Sequence, residues 1–356
     1  MAVRVGINGF GRIGRSFTRA LLSRGAEAGI VGHLAEAIFG PEVELVAVND
    51  PMGDAETMAF LLKHDSVGGT IRNEIKPTDH GFSIDGHDVH KLEVMDPGEI
   101  PWGEHGVDVV IESTGLFTSR EKAAGHLQGG AKRVIISAPS GDADAMICMG
   151  VNDAVYDPKA HTVISNASCT TNCLAPMAKV LHDEFGIEQG LMTTVHAYTS
   201  DQALQDIAKA SRKGKPDVRR MRAAALSIIP SSTGAARAIG TVLPDLKGRL
   251  DGTALRVPTA TGSITDLVAT LGRDVSVDDV NGAFARSSQD PTYRGVLEFT
   301  EEELVSADIV GNPASCIFSA ADTMANGRMV KVLGWYDNEW GYSNRLIDLV
   351  AFIGAR

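Results

Sequence analysis

Val3-Arg4-Val5-Gly6-Ile7-Asn8-Gly9-Phe10-Gly11-Arg12-Ile13-Gly14 opens with a short apolar strand and passes at once into G-x-G-x-x-G, and residues 15–22 continue it as a helix. Glycine at these spacings permits a tight turn, lets the backbone approach a pyrophosphate, and allows the helix to pack closely on the strand. The pyrophosphate would rest on the helix N-terminus, where free N–H groups and the helix dipole both favour an anion. Gly9, Gly11, Arg12, Ile13 and Gly14 are the candidate dinucleotide contacts.

The same pattern asks for an acidic residue at the end of the second strand, commonly about 20 residues on. Residues 43–48 read as that strand, and it ends in Asn49-Asp50, 36 residues beyond Gly14. The excess lies in residues 24–40, read as an insertion in the first crossover in which 30–39 could form an extra short helix. A carboxylate at Asp50 would bind ribose hydroxyls and repel a 2′-phosphate, which favours NAD over NADP. Two further continuous apolar runs, 107–112 and 133–137, have the character of parallel strands covered on both faces, with 119–127 helical between them. Ser113-Thr114-Gly115 and Ser137 fall at strand carboxyl ends, where open α/β sheets bind ligands. Between residues 60 and 91, turn residues and short strands predict antiparallel additions.

The chain has 356 residues, room for two domains, with 44% hydrophobic and 22% charged residues, ordinary values for a globular protein with a sizeable core. A net charge of −12 argues against general binding to nucleic acid or to anionic membranes. Anionic ligands must then be held by local arginines and backbone N–H groups. Cys148, Cys169, Cys173 and Cys316 form no Cys-x-x-Cys pair, so neither a disulfide framework nor a metal site is expected. Met1 leads straight into the first strand, no apolar run reaches membrane-spanning length, and a cytoplasmic location is expected.

In the second half, Ala167-Ser168-Cys169-Thr170-Thr171-Asn172-Cys173 joins a strand at 162–165 to a helix reaching Phe185. A thiol at such a junction meets helix N–H groups that favour its thiolate, although a small buried core residue reads equally well from position alone. Pro176 within the helix predicts a kink, and Cys173 suits packing. Residues 191–199 alternate as a strand with His196 near its end; an imidazole there is either a structural residue or the partner that activates the thiol. Residues 209–222 form a basic loop. Ser231-Ser232-Thr233-Gly234 precede a second helix start suited to an anion, and Arg256 closes another strand.

Taken together, these stretches resemble the phosphorylating glyceraldehyde-3-phosphate dehydrogenase family. The matching pieces run in order along the whole chain: residues 8–14, Val48-Asn49-Asp50, Glu112-Ser113-Thr114-Gly115, residues 167–173, His196-Ala197-Tyr198-Thr199, Ile229-Pro230-Ser231-Ser232-Thr233-Gly234-Ala235-Ala236, Arg256-Val257-Pro258-Thr259, and Trp335-Tyr336-Asp337-Asn338-Glu339-Trp340-Gly341-Tyr342-Ser343. The resemblance implies an α/β protein: a Rossmann NAD-binding domain over 1–168, completed by a C-terminal helix within 335–356, and an α+β catalytic domain with a mixed sheet over 169–334.

It also implies a mechanism. Cys169 would add to glyceraldehyde 3-phosphate, His196 would act as base, and inorganic phosphate would release an acyl phosphate, 1,3-bisphosphoglycerate, from the Cys169 thioester. Thr199 and Arg256, with Asp201 nearby, would hold the substrate phosphate. Ser168, Thr170, Arg220, Thr233 and Gly234 would hold the attacking phosphate. Asn338 would orient the nicotinamide, and Ser137 would complete the NAD site. A homotetramer is the implied assembly. Three departures stand out: the 24–40 insertion, Met95 where the family usually carries arginine beside the adenine, and a longer loop over 203–219 bearing Lys209, Arg212, Lys213 and Lys215, cations that could tolerate a 2′-phosphate. The nearest alternatives are a paralogue acting on erythrose 4-phosphate or using arsenate as acyl acceptor, an NAD-binding regulatory protein on this scaffold, and a semialdehyde dehydrogenase.

Overall fold

Val3–Asn8 (β1) is buried at five of its six positions and lies between two parallel neighbours, Val43–Asn49 (β2) and Val109–Glu112, as its unbroken apolar character requires. The structure is a computed structural model that describes the backbone of residues 2–31, 43–208 and 217–356, and the side chains of all of these but 26–31. The extra helix expected over 30–39 therefore lies outside the described residues from residue 32 on. So do Lys209, Arg212, Lys213 and Lys215.

The chain divides into two compact units, Met1–Met149 with Asp153–Ser168 and Ser343–Arg356, and Gly150–Asn152 with Cys169–Tyr342. One boundary lies between Ser168 and Cys169. The other lies between Tyr342 and Ser343: Met329–Tyr336 belongs to the second unit's sheet, and the helix Trp340–Gly354 begins after it.

In the first unit the remaining strands are β3 (His64–Asp65), β4 (Gly69–Thr70), β5 (Ile75–Thr78), β6 (Gly81–Ile84), β7 (His87–Leu92), β8 (Val109–Glu112), β9 (Arg133–Ile136), β10 (Ala145–Met146) and β11 (Val163–Ser165). Its main sheet has the order β10-β11-β9-β8-β1-β2-β7-β6-β5 among the described residues. Every pairing from β10 to β7 is parallel, and the expected antiparallel additions are the β5–β6 and β6–β7 pairs at one edge. Residues 60–63, however, close a helix, Ala55–Lys63. The stretch at 119–127 is two short helices, Arg120–Ala123 and Gly125–Gln128. From β1 the chain winds out through β2 to the β5 edge, then returns to β8 on the other side of β1. That makes the β1–β8 boundary the switch point, with its crevice at the carboxyl ends. The first helix, Arg12–Val31, runs well past residue 22, so the insertion begins as a continuation of it. Arg24 on this helix donates to Asn344 at 2.8 Å and pairs with Asp348 at 2.6 Å.

The second unit is built on β12 (Ile187–Ala197), β13 (Ile229–Ser232), β14 (Leu250–Val257), β15 (Ser263–Leu271), β16 (Leu297–Thr300), β17 (Cys316–Asn326) and β18 (Met329–Tyr336), in the order β13-β14-β12-β15-β18-β17-β16. The sheet is mixed, with β12–β14 and β16–β17 parallel. The helix Cys169–Phe185 buries Cys173, Leu174, Met177, Ala178 and Leu181 and runs through Pro176 unbroken. Gly334 on β18 sits under it, because a Cβ there would lie 2.5 Å from Met177 Sδ.

Candidate active site

The glycine turn after β1 shows why each glycine is needed. Gly9 has φ 90°, a left-handed conformation, and a Cβ on it would sit 2.7 Å from the backbone N of Thr114. A Cβ on Gly14 would come within 2.7 Å of Gly9 O. Gly11 differs: no atom lies within 4 Å of where its Cβ would be, and the residue is exposed, so the backbone offers an open face to an approaching pyrophosphate. Asp50 directly follows β2 beside this turn and accepts from Phe10 N and Met52 N, each at 2.9 Å. The residues present therefore fit a dinucleotide. Arg12 is ion-paired with Asp65, whose carboxyl also accepts from the Val67 and Gly68 N–H groups. Ser137 follows β9 with its N–H on Glu112 O at 3.0 Å. Met95 is 70% exposed.

Beneath the turn is a polar cluster that the motifs do not announce. Buried Glu112 accepts from Asn8 Nδ2 at 2.6 Å, from His126 Nε2 at 3.0 Å, and from the N–H and hydroxyl of Thr114. Trp102 Nε1 donates to His126 Nδ1 at 3.0 Å, which leaves Nε2 to carry the ring proton toward Glu112.

In the second unit, Cys169 is the first residue of its helix, where the opening N–H groups lack intrahelical partners. Ala167, two residues earlier, holds φ 55°, a left-handed conformation costing about 1–3 kcal/mol in a non-glycine residue. Such an outlier turns the chain sharply at the entry to the helix. Cys169 Sγ lies 3.4 Å from His196 Nε2. His196 stands near the end of β12 and is buried, and the parallel register of β12 and β14 sets Arg256 directly beside it. Tyr336 meets the imidazole edge-on at 5.9 Å, and its hydroxyl lies 2.8 Å from both Thr170 and Thr194 Oγ1.

Burial dominates the titration of the pair. It pushes the Cys169 thiol up from its ordinary value, with the Arg256 cation acting in the opposite direction. It lowers His196 to about 3, with Arg256 reinforcing it. Burial thus works against charge on both members of the pair, while Arg256 favours the thiolate.

The other predicted polar residues fall into three local groups. Asp201 accepts the Thr199 hydroxyl and pairs with Arg220, which also reaches Asp217 at 3.2 Å. Although burial raises the Asp201 carboxyl, those two partners hold it below its ordinary value overall. Gly234 caps the helix Ala235–Val242, and Thr233 Oγ1 accepts from Ala235 N at 3.2 Å. Asn338 is buried; Ser263 donates to its Oδ1 at 2.8 Å and accepts from Ala197 N at 3.0 Å. Ser263 and Tyr336 are supporting residues that sequence spacing did not single out, because their partners lie 66 to 166 residues away in the chain.

The family model described as "Glyceraldehyde 3-phosphate dehydrogenase, NAD binding domain" matches residues 3–120, and "Glyceraldehyde 3-phosphate dehydrogenase, C-terminal domain" matches 168–338. The chain is 54% identical over 355 residues to glyceraldehyde-3-phosphate dehydrogenase of Streptomyces coelicolor, covering 99% of each sequence. It is 52% identical over 356 residues to the enzyme of that name from Mycolicibacterium smegmatis, covering 99% of each. Against that of Geobacillus stearothermophilus it is 51% identical over 357 residues, covering 100% of this chain and 99% of the relative. With both family models in chain order and near-complete coverage at this identity, the chain belongs to the glyceraldehyde-3-phosphate dehydrogenase family.

Proposed function

We propose that this protein oxidises glyceraldehyde 3-phosphate with NAD and inorganic phosphate to 1,3-bisphosphoglycerate through a thioester on Cys169. The observation that carries this reading is the 3.4 Å contact between Cys169 Sγ and His196 Nε2 at a helix N-terminus, with Arg256 alongside. Cys169 gives its proton to His196 and adds as thiolate to the aldehyde carbon, forming a hemithioacetal. His196 returns that proton to the oxygen that the addition leaves charged, and, neutral again, removes it as base as the C–H electrons leave. A dinucleotide held at the Gly9–Gly14 turn would supply the hydride acceptor. Cys169 holds the resulting acyl group as a thioester, and its thiolate departs readily when phosphate oxygen attacks.

Thr199 and Arg256, with Asp201, hold the substrate phosphate in this reading. Ser168, Thr170, Arg220, Thr233 and Gly234 hold the attacking phosphate, and Gly9, Gly11, Arg12, Ile13, Gly14, Asp50, Ser137 and Asn338 serve the dinucleotide. Exposed Leu204, Val218, Leu226 and Ile228 lie close in sequence on the second unit, which supports self-association, with a homotetramer as the expected state. No described helix is long and apolar enough to cross a membrane, and the cytoplasm is the expected location.

The test is NADH formation by the purified protein, expected to require glyceraldehyde 3-phosphate, NAD and phosphate together. Oxidation indifferent to phosphate, or faster with erythrose 4-phosphate, overturns the assignment. Sedimentation at micromolar concentration tests the tetramer.

A further inference from the structure

A single buried chain of hydrogen bonds ties together the carboxyl ends of β1, β2 and β8 and the residue two places past β7. Asn49, the last residue of β2, takes the Val94 N–H on Oδ1 at 2.8 Å. Its Nδ2 donates to Val94 O at 2.8 Å and to Asn8 Oδ1 at 2.7 Å. Asn8, the last residue of β1, has Nδ2 left to offer and donates it to Glu112 Oε2 at 2.6 Å. From the other side the Trp102 indole, which can only donate, occupies His126 Nδ1, so His126 donates from Nε2 to that same oxygen at 3.0 Å. Glu112 Oε1 takes the Thr114 N–H at 2.8 Å and the Thr114 hydroxyl. Asn8, Asn49, Glu112 and His126 are all buried.

Both ends of this chain are fixed donors, the Val94 N–H and the Trp102 indole, so neither amide can flip and the imidazole cannot change tautomer. All polarity converges on Glu112, which accepts four times and donates nowhere. Each backbone member is followed by a wall of the crevice: Gly9 after Asn8, Asp50 after Asn49, Met95 after Val94, and Ser113-Thr114-Gly115 after Glu112. Ser113 Oγ adds a cross-tie to Gly9 O at 2.7 Å. We propose that Glu112 is a positioning residue for NAD: as the one acceptor at the centre of the chain it presets these walls before the dinucleotide arrives. A site held rigid in advance loses less entropy on binding, which is where the affinity comes from. Only a carboxylate serves, because an amide brings a donor to a place that four donors already face. Its less costly orientation keeps the oxygen on Asn8 and His126 and sets Nε2 against the Thr114 N–H, so the damage falls on the Ser113–Gly115 wall. This rests on the reading of the Gly9–Gly14 turn as the dinucleotide site.

Glu112→Gln should weaken NAD binding in calorimetry on the order of tenfold, the effect of one buried donor left unsatisfied. KM for NAD should rise in step, while kcat at saturating NAD and KM for glyceraldehyde 3-phosphate stay within about twofold of the parent. Asn49→Asp, which turns a carboxylate oxygen toward Asn8 Oδ1 and Val94 O, should weaken NAD binding in the same way from the far end of the chain. The unmutated protein gives a second measurement that needs no variant to fold. Amide hydrogen exchange at Thr114 and Val94 should be slow in the free protein and change little when NAD is added. Fast exchange at either amide that slows only with NAD bound means that the cofactor sets the walls, and overturns the proposal. A folded Glu112→Gln protein with parental NAD affinity overturns it too, as does one whose kcat falls as far as its binding. An unmutated protein that binds no NAD instead removes the dinucleotide reading of the turn, and the proposal with it.

Discussion

Ser263 gives its only hydroxyl proton to the side-chain oxygen of Asn338, 75 residues away in sequence, at 2.8 Å. It has no choice in the matter, because its other contact is the Ala197 N–H, itself a donor. The Asn338 amide is therefore held with Oδ1 inward and Nδ2 outward, and the same hydroxyl pins the backbone beside His196.

Replacing Ser263 by alanine removes both constraints. The buried Ala197 N–H loses its acceptor, costing about 1–3 kcal/mol of stability. The Asn338 amide keeps only the longer 3.3 Å contact from Thr261 Oγ1 and is held less firmly, so NAD should bind less tightly. Urea unfolding and calorimetric titration with NAD measure the two effects; a variant matching the parent in both would show that Ser263 only fills space.

Cys169→Ser keeps the helix start and the neighbouring side chains but replaces the thiol by a far weaker acid. Aldehyde-dependent NADH formation should fall on the order of 10⁴-fold or more, as when other catalytic nucleophiles are removed. NAD affinity should be retained. Residual turnover near the parent rate would exclude a covalent thioester.

Asp50→Asn removes the carboxylate charge beside the Gly9–Gly11 turn while leaving an oxygen to accept from the Phe10 N–H. The ratio of kcat/KM for NAD over NADP should drop about tenfold for each 1.4 kcal/mol of repulsion removed. An unchanged ratio would place cofactor discrimination elsewhere in the chain.

Acid should destabilise the protein in part through His196. Its folded value of about 3 lies below the 6.5 of an ordinary imidazole, so between these limits the unfolded chain binds a proton that the folded ring refuses. Stability is lost as pH falls through this window, by roughly 1.4 kcal/mol per pH unit from this group. Asp144 acts in the same direction lower down: burial raises its carboxyl, but Arg120 and the Thr162 and Val163 N–H groups outweigh that and hold it at about 2. Unfolding free energies at pH 7, 5.5 and 4.5 should fall more steeply for the parent than for His196→Asn; parallel lines would contradict the buried neutral imidazole.

Gly334→Ala tests the seat of the catalytic helix. The added Cβ would meet Met177 Sδ at 2.5 Å, Cys316 Sγ at 2.8 Å and Cys173 Sγ at 3.2 Å, so the helix must lift or the sulfurs must move. Overpacking of this kind costs about 1–3 kcal/mol. Because Cys169 begins that helix, its alkylation rate should change with the stability. Loss of stability with an unchanged rate would mean that the strain is absorbed away from the helix N-terminus.

What the sequence determined by itself is local. The glycine turn, Asp50 at the end of β2 and the cysteine at a helix start each depend on residues a few positions apart, because φ preferences, strand patterning and helix ends are short-range properties. The helix Cys169–Phe185 was legible to the residue. The Met329–Tyr336 strand was not, because an apolar run before a helix does not say which sheet will take it.

The tertiary structure decided the pairings. Arg256 reaches Nδ1 of His196 because two strands 60 residues apart align in parallel register. Asp201 gathers Thr199 and Arg220, and Ser263 fixes Asn338. Sequence named Cys169, His196 and Arg256 as separate candidates. Only strand register, a long-range property of the packed sheet, made one nitrogen of His196 answer to both a carbonyl and a guanidinium.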